Sequence, residues 1–234
     1  PEMLTFQKSR MLFGLNHARH ELKGAGGAIV VEGYTDCIAL HQAGIRNAVA
    51  VLGTALTESH VTRLKGFSPR VTLSFDGDEA GQNKSGDAVS KLLAQQVDLR
   101  VLTIPDRLDP ADFVEREGSE RFLQLIEQAP EAWEFKLQRE IQTRGTSTVD
   151  ARERVLTEML TLLARVPGLE GTAREDHILG RLATRLRLAE SSIRSHLKKT
   201  RSQDRSPRMV RVDTAEQEAA SHEASEERLS LIHI

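Results

Sequence analysis

The chain has 234 residues and a formal net charge of −2 at pH 7, with 39% hydrophobic and 28% charged residues. This length suffices for one or two domains with a buried core, and no apolar run approaches the ~20 residues of a membrane span. The composition therefore predicts a cytoplasmic protein without membrane contact, and the single cysteine, Cys37, excludes an internal disulfide and a thiolate zinc site.

The first half of the chain alternates between strand and helix patterns. An amphipathic helix is predicted over 6–22, before a glycine cluster. Short β-branched runs then predict strands at 28–31, 48–51, 71–75 and 99–104, and segments of helical spacing predict helices at 35–43, 57–65 and 79–97. This alternation predicts an α/β fold with a parallel sheet covered by helices.

The strand signals stop after Gly118. Helical patterns follow at 119–128, 130–143, 150–165, 172–188 and 191–200. We therefore divide the chain near residue 118 and expect an all-helical subdomain over 119–200. Residues 201–234, which become strongly acidic after 211, are expected to form a charged, disordered linker or tail.

The end of the helical region is rich in basic residues. Residues 181–211 contain ten Lys or Arg against two acids. The leucine spacing over 182–199 resembles a helix-turn-helix, but the same spacing is typical of helices that pack in a bundle. The stretch is therefore expected either to support the bundle or to contact nucleic acid.

Acidic residues follow three of the four predicted strands. Glu32 follows the first strand, Asp76 and Asp78 follow "VTLSF", and Asp109 and Asp112 follow the last strand in "LDPADF". The carboxyl ends of parallel strands share one edge of a sheet, so these acids should converge. Crowded carboxylates repel one another unless a cation neutralises them. Oxygen ligands without a suitable His or Cys set predict Mg²⁺, or else Mn²⁺.

Several of these residues have a second interpretation. Asp109 and Asp78 are each placed to cap a following helix. Asp36 is placed to act as the stabilising negative charge at the N-terminus of its helix. Gly33 and Gly77 either let phosphates or metal approach the backbone or serve as turn glycines. The acids at separate strand ends, taken together, favour a metal site.

Four motifs resemble those of a known family. "VVEGYTDCIAL", "AVLGTALT", "SFDGDEAG" and "LDPADF", in this order and spacing, resemble the Toprim domain of bacterial DnaG-type primases. The opening "QKSRMLFGLNHAR" resembles the segment before that domain, so the resemblance covers roughly 3–118. It implies that 1–25 end a polymerase subdomain and that 26–118 form the Toprim domain. Those primases often have Asp at the position of Ala111, which makes Asp112 a substitute candidate.

The resemblance implies a DNA primase, which synthesises RNA primers from ribonucleoside triphosphates on single-stranded DNA. It assigns Asp76, Asp78 and Asp109 to metal binding, and makes Glu32 a further ligand or an acid/base group. Basic residues that would hold template or triphosphate phosphates are Lys8, Arg10 and, more weakly, Lys84.

Two other functions remain compatible with the residues. A Toprim-type nuclease would need the same acids, and a non-catalytic DNA-binding module of a replication protein would need none of them. A topoisomerase needs a separate tyrosine nucleophile, whereas the only tyrosine, Tyr34, lies two residues from Glu32. We expect the chain to be a fragment with weak activity of its own, and a replicative helicase to bind through a C-terminal region absent from it.

Overall fold

The computed structural model describes residues 7–24, 26–53, 56–75 and 97–205. The chain divides into two units, Pro1–Arg201 and Ser202–Ile234. The first unit holds the sheet and the helices, and the described part of the second is the end of the last helix. No helix within the described residues is long and apolar enough to cross a membrane.

Within the described residues, the sheet contains four strands, all parallel, in the order β2-β1-β3-β4. The strands are β1 (Ala28–Val31), β2 (Ala48–Ala50), β3 (Arg70–Phe75) and β4 (Asp98–Thr103). Each coincides with a strand predicted from the sequence to within one residue at either end. The prediction of a helix-covered parallel sheet is thus confirmed.

The short apolar runs form strands because both faces of the sheet are covered. In β1, Ala28 and Val30 belong to one hydrophobic cluster, whereas Ile29 and Val31 belong to another on the opposite face. Successive side chains of a strand point to opposite faces. A strand buried on both faces therefore reads as a continuous apolar run and shows no alternation with polar residues.

The described helices of four or more residues are α1 (Leu15–Ala18), α2 (Tyr34–Gln42), α3 (Glu58–Lys65), α4 (Pro110–Glu117), α5 (Ser119–Gln128), α6 (Ala132–Arg144), α7 (Val149–Ala164), α8 (Ala173–Leu186) and α9 (Glu190–Arg205). Each helical segment predicted after Gly118 is present. The helix predicted at 79–97 lies almost wholly outside the described residues, and α4 was predicted only as the short helix that Asp109 could cap.

The predicted helix over 6–22 is wrong. Residues Lys8–Arg10 form a short 3₁₀ turn, and Phe13 makes an antiparallel bridge to Ala50 before α1 begins. Gly14 has a φ of 77°, a left-handed conformation outside the right-handed helix. The backbone N–H and C=O of Phe13 bond to Ala50 and so cannot form helical hydrogen bonds. The amphipathic pattern here therefore reflects the packing of separate short elements.

The first residues of the predicted linker are helical. Helix α9 continues to Arg205, so residues 201–205 are helical. Arg201 explains part of this extension, because its guanidinium donates to Glu175 Oε1 at 2.8 Å and both side chains are largely buried. The rest of the predicted tail, 206–234, lies outside the described residues.

The last helices pack as a bundle. The leucine pattern of 182–199 places Leu182, Leu186, Ile193 and Leu197 in one buried cluster, which also contains Trp133. The turn between α8 and α9 passes through Arg187 in a left-handed conformation. Burial of these four side chains supports the bundle interpretation of the pattern over that of an exposed recognition helix.

Arginines of the basic stretch are engaged by acids of the same bundle. Arg181 forms an ion pair with Glu134, and Arg194 lies 2.8 Å from Asp176 and 2.6 Å from Glu190. Exposed pairs of this kind contribute little stability singly. They do reduce the positive charge that these arginines could offer to a nucleic acid.

A candidate active site at the carboxyl edge of the sheet

Glu32 stands at the centre of the sheet edge. It is the first residue after β1, which lies between β2 and β3. Val30 pairs with Leu73, so the carboxyl end of β1 lies beside that of β3. The Glu32 side chain is half-buried. This position agrees with the expectation that acids after the strands share one edge.

Asp36 stabilises the start of α2, the helix that follows Glu32. Its Oδ2 accepts a hydrogen bond from the backbone N–H of Gly33 at 3.1 Å, and the residue is only 6% exposed. The interpretation of Asp36 as the N-terminal charge of its helix is confirmed. Cys37 beside it is a buried packing thiol, whose pKa is raised to about 11 by burial and then by the charge of Asp36.

Gly33 lies against that carboxylate. A Cβ atom at this position would lie 2.6 Å from Asp36 Oδ2, which is closer than real contacts allow. The close approach that requires glycine here is therefore to the protein's own side chain. It holds the turn between Glu32 and α2 in a fixed shape.

The second pair of strand ends is also in register. Phe75 at the end of β3 pairs with Thr103 at the end of β4, and the backbone N–H of Ile104 donates to Phe75 O at 3.3 Å. Asp76 follows Phe75 directly in the sequence. The predicted site residues Asp76, Gly77, Asp78 and Lys84 all lie outside the described residues.

Asp109 caps α4. Its Oδ1 accepts a hydrogen bond from the backbone N–H of Asp112 at 2.7 Å, and Pro110 occupies the first turn. Asp109 is half-buried and reaches this position after β4 through a 3₁₀ turn, Pro105–Arg107. The capping role that the sequence allowed for Asp109 is present. Capping engages one of its oxygens, and Asp112 is exposed in the first turn of α4.

The described residues do not by themselves form a metal site. In 7–24, 26–53, 56–75 and 97–205, no three Asp, Glu, His or Cys side chains are grouped to hold an ion. The donors at this edge are carboxylates, a chemistry that suits a hard divalent cation. A full set from the predicted residues would have to include Asp76 and Asp78.

Residues Lys8–Arg10, here called the basic segment, are held by side chains of α3 and its N-cap. Three consecutive backbone carbonyls of the segment each face a different donor. The bonds join His60 Nε2 to Lys8 O (2.9 Å), Thr57 Oγ1 to Ser9 O (2.6 Å) and an Arg63 Nη to Arg10 O (3.0 Å). This arrangement, here called the α3 latch, fixes the backbone from which the Lys8 and Arg10 side chains project.

His60 is the buried member of the latch. Its Nδ1 accepts from the backbone N–H of Thr57 at 3.1 Å, so Nε2 carries the proton and donates to Lys8 O. His60 is fully buried, and burial lowers its pKa below the ordinary value, opposed by the carbonyls of Lys8 and Met11. The sequence interpretation missed this residue, although the Thr-x-x-His spacing at the start of α3 matched a capping pattern.

Comparison with known proteins identifies families that share this architecture. Residues 26–103 match the Toprim domain family. The DNA primase of Clostridium acetobutylicum is 41% identical over 139 residues, which cover 59% of this chain and 23% of that protein.

Two solved structures are also similar. A DNA primase domain from Pseudomonas aeruginosa has a TM-score of 0.73 and 34% identity, over 83% of this chain and 61% of that one. The structure of a DnaG primase catalytic domain bound to ssDNA has a TM-score of 0.70 and 34% identity, over 79% and 59%.

Residues 26–103, which match the Toprim family, contain the parallel sheet, and acids follow its strands β1 and β4 at the carboxyl edge. These features define a Toprim domain. The chain as a whole is similar to bacterial DnaG-type primases, as the four motifs indicated. It spans about a quarter of the length of the curated relatives that it matches. Primases with a Toprim domain depend on a divalent metal, which agrees with the carboxylates of this edge.

Proposed function

We propose that this chain supplies the Toprim part of a DNA primase, a nucleotidyltransferase that synthesises short RNA primers on single-stranded DNA. The observation that carries the proposal is the shared register of β1, β3 and β4. Their carboxyl ends lie at one edge, and each strand is followed in the sequence by an acid from the primase motifs. The similarity to a primase domain bound to ssDNA supports a DNA template.

The acids have distinct roles in this proposal. Asp76, Asp78 and Asp109 would hold Mg²⁺, or Mn²⁺, and one carboxylate oxygen of Asp109 remains besides the one that caps α4. When bound, the cation would supply positive charge opposite the reacting phosphates. Glu32 either completes the ligand set or accepts the proton of the attacking 3′-hydroxyl, and its half-buried position suits both roles.

The basic segment has the role of holding phosphates. Arg10 is exposed and Lys8 is half-buried. The α3 latch fixes their backbone, so each side chain loses less conformational freedom when it binds a phosphate of template or triphosphate. Lys84 is proposed as a weaker contact of the same kind. The partners in this function are single-stranded DNA, ribonucleoside triphosphates and the RNA primer.

A replicative helicase is proposed to bind primases of this family outside the matched region, and the reaction takes place at cytoplasmic replication forks. The solved primase domains contain parts that this chain does not match. Primer extension requires the template and the 3′ end to be held in line with the triphosphate, and small misplacements are costly. The chain on its own should therefore bind metal but extend primers poorly, and joining it to the region of a primase domain that it does not match should restore synthesis.

One assay separates the proposed function from its alternatives. The chain, alone and joined to that region, is incubated with labelled single-stranded DNA, Mn²⁺ and ribonucleoside triphosphates. A primase makes RNA products that Asp76→Asn abolishes. A nuclease shortens the DNA without triphosphates, and a binding module retains DNA affinity with neither product. Either of the latter results from both preparations would reject the proposal.

Asp109 allows capping and metal binding to be tested separately. Asparagine caps a helix about as well as aspartate, whereas alanine costs ~1 kcal/mol. Asp109→Asn should therefore leave the unfolding temperature unchanged while weakening Mn²⁺ binding, and Asp109→Ala should lower both. Thermal melts and isothermal titration of the same samples make the comparison. Unchanged Mn²⁺ affinity in Asp109→Asn would restrict Asp109 to capping.

A further inference from the structure

An exposed apolar strip lies beside the candidate site. Within the described residues, four of the six exposed large hydrophobic side chains belong to it: Met11 (36% exposed), Phe13 (36%), Tyr34 (58%) and Ile38 (43%). The rings of Phe13 and Tyr34 are in contact, with centroids 6.1 Å apart and a tilt of 58°. We call these four residues the aromatic strip. A grouped exposed apolar surface of this kind marks a binding site more often than scattered apolar residues do.

The backbone explains why the strip is continuous. Met11 is extended, Leu12 is buried, and Phe13 bridges to a strand, so Met11 and Phe13 point to the same side. Tyr34 and Ile38 are four residues apart on α2 and lie on one face of that helix. The contact between the two rings joins the two halves.

The strip lies at the edge where ligands of parallel sheets bind. Phe13 exchanges two backbone hydrogen bonds, of 2.8 and 3.1 Å, with Ala50, the last residue of β2. Tyr34 is the first residue of α2, two positions after Glu32. Both rings are therefore fixed at the carboxyl ends of β1 and β2, on the side of the sheet where the acids follow the strands.

We propose that the aromatic strip is a stacking platform for unpaired bases of the single-stranded template, with Phe13 and Tyr34 as its base-contacting residues. This inference rests on the proposed function and identifies where the bases bind. Every base has a flat π face, so stacking on aromatic rings holds a strand without selecting its sequence. A polymerase that copies many templates needs contacts of this type.

The charges around the strip favour a nucleic acid as its occupant. Arg10 of the basic segment directly precedes Met11, Lys8 lies two positions before Arg10, and Arg63 donates to Arg10 O. Single-strand sites combine such cationic groups, which follow the phosphates, with rings that stack on the bases. Phosphate contacts and base contacts thus come from adjacent residues of one short segment.

The test measures binding of a fluorescent dT oligonucleotide of about 15 nucleotides by anisotropy, with thermal melts to verify folding. Stacking on one ring contributes ~1–3 kcal/mol per base, so Tyr34→Ala or Phe13→Ala should weaken binding about tenfold. Tyr34→Phe keeps the ring and should bind as the wild type does. Tyr34→Leu keeps apolar area without a π face and should resemble Tyr34→Ala. Val149→Ala, at an exposed apolar residue of α7, is the matched control.

Salt dependence and abasic DNA complete the test. Loss of a ring should leave the slope of log affinity against log salt unchanged, whereas Lys8→Ala with Arg10→Ala should reduce it. An oligonucleotide of abasic residues should bind wild type and Tyr34→Ala alike. If wild type binds DNA and the double variant Phe13→Ala, Tyr34→Ala binds with the same affinity, this inference is overturned and the proposed function is not. A wild-type chain that does not bind DNA at all rejects the stacking platform, whereas RNA products from the chain joined to the unmatched primase region would still support the proposed function.

Discussion

Replacing Asp76 with asparagine should abolish saturable Mn²⁺ binding by this chain. In the chain joined to the unmatched primase region, it should lower the rate of nucleotidyl transfer at least 100-fold, about the loss seen when one transition-state contact is removed. Asp76 follows β3, whose end lies beside that of β1 and in register with that of β4. A carboxylate there is expected to carry ligand charge that an amide cannot supply. Of the single changes considered, this one should affect chemistry most.

Two further variants make that result specific. Glu32→Gln removes a charge from the same edge and should reduce transfer, with a smaller effect on Mn²⁺ affinity if Glu32 acts as an acid/base group. Asp150→Asn removes an equal charge from the first turn of α7 and should change neither quantity. Calorimetric titration with Mn²⁺ and a primer-synthesis assay provide the two measurements. Retention of saturable binding by Asp76→Asn would contradict the proposed ligand set.

The sheet could be predicted from the sequence because its strands are buried on both faces. "AIVV" and "VTLSF" are short and β-branched. "AIVV" is buried between two hydrophobic clusters, and "VTLSF" places its apolar residues in one cluster while its polar residues are also buried, which favours a strand in both cases. The bundle helices after Gly118 were equally predictable, because each buries one apolar stripe against its neighbours. In both regions the local pattern and the tertiary environment require the same structure.

The opening segment could not be predicted in the same way. Its apolar spacing resembles a helix, but Phe13 bonds to Ala50 and Gly14 takes a positive φ. The partners that decide this structure are distant in sequence, as in the pair formed by Lys8 and His60, 52 residues apart. Patterns within a window of a dozen residues carry no information about such contacts.

The candidate site was predicted only in part for a related reason. Sequence position relative to the strands placed Glu32 at the carboxyl edge and identified Asp36 as a helix-capping charge. It could not choose between capping and ligation for Asp109, because one carboxylate has enough oxygens for both. Nor could it find the aromatic strip, which depends on two rings brought together from different elements.

Substituting phenylalanine for His60 should destabilise the chain by roughly 2–6 kcal/mol, because it leaves two backbone groups without partners at ~1–3 kcal/mol each. Those groups are the carbonyl of Lys8 and the N–H of Thr57, both bonded to the imidazole. Thr57→Val removes the hydroxyl that donates to Ser9 O and should also destabilise the chain. Thr57→Ser retains the hydroxyl and is the matched control. Urea unfolding at pH 7.5 measures each change.

The latch should also respond to pH. The folded-state pKa of His60 is lowered, mainly by burial, with a smaller contribution from nearby Arg63. The unfolded chain therefore binds a proton at about pH 6.5, where the folded chain still does not. The stability supplied by neutral His60 is present above that pH and is lost as pH falls through it toward the folded pKa. His60→Phe should accordingly lose less stability than the wild type between pH 7.5 and pH 5.5.

The functional consequence of releasing the latch follows from the three carbonyls that it holds. Without His60 the backbone of the basic segment is less fixed, so Lys8 and Arg10 lose more freedom on binding phosphate and neutralise it for less of the time. His60→Phe should therefore bind single-stranded DNA more weakly and with a smaller salt slope, while Tyr34→Ala weakens binding without changing the slope. Anisotropy titrations at several salt concentrations separate the two. A folded His60→Phe with wild-type stability and an unchanged slope would show that α3 does not position the basic segment.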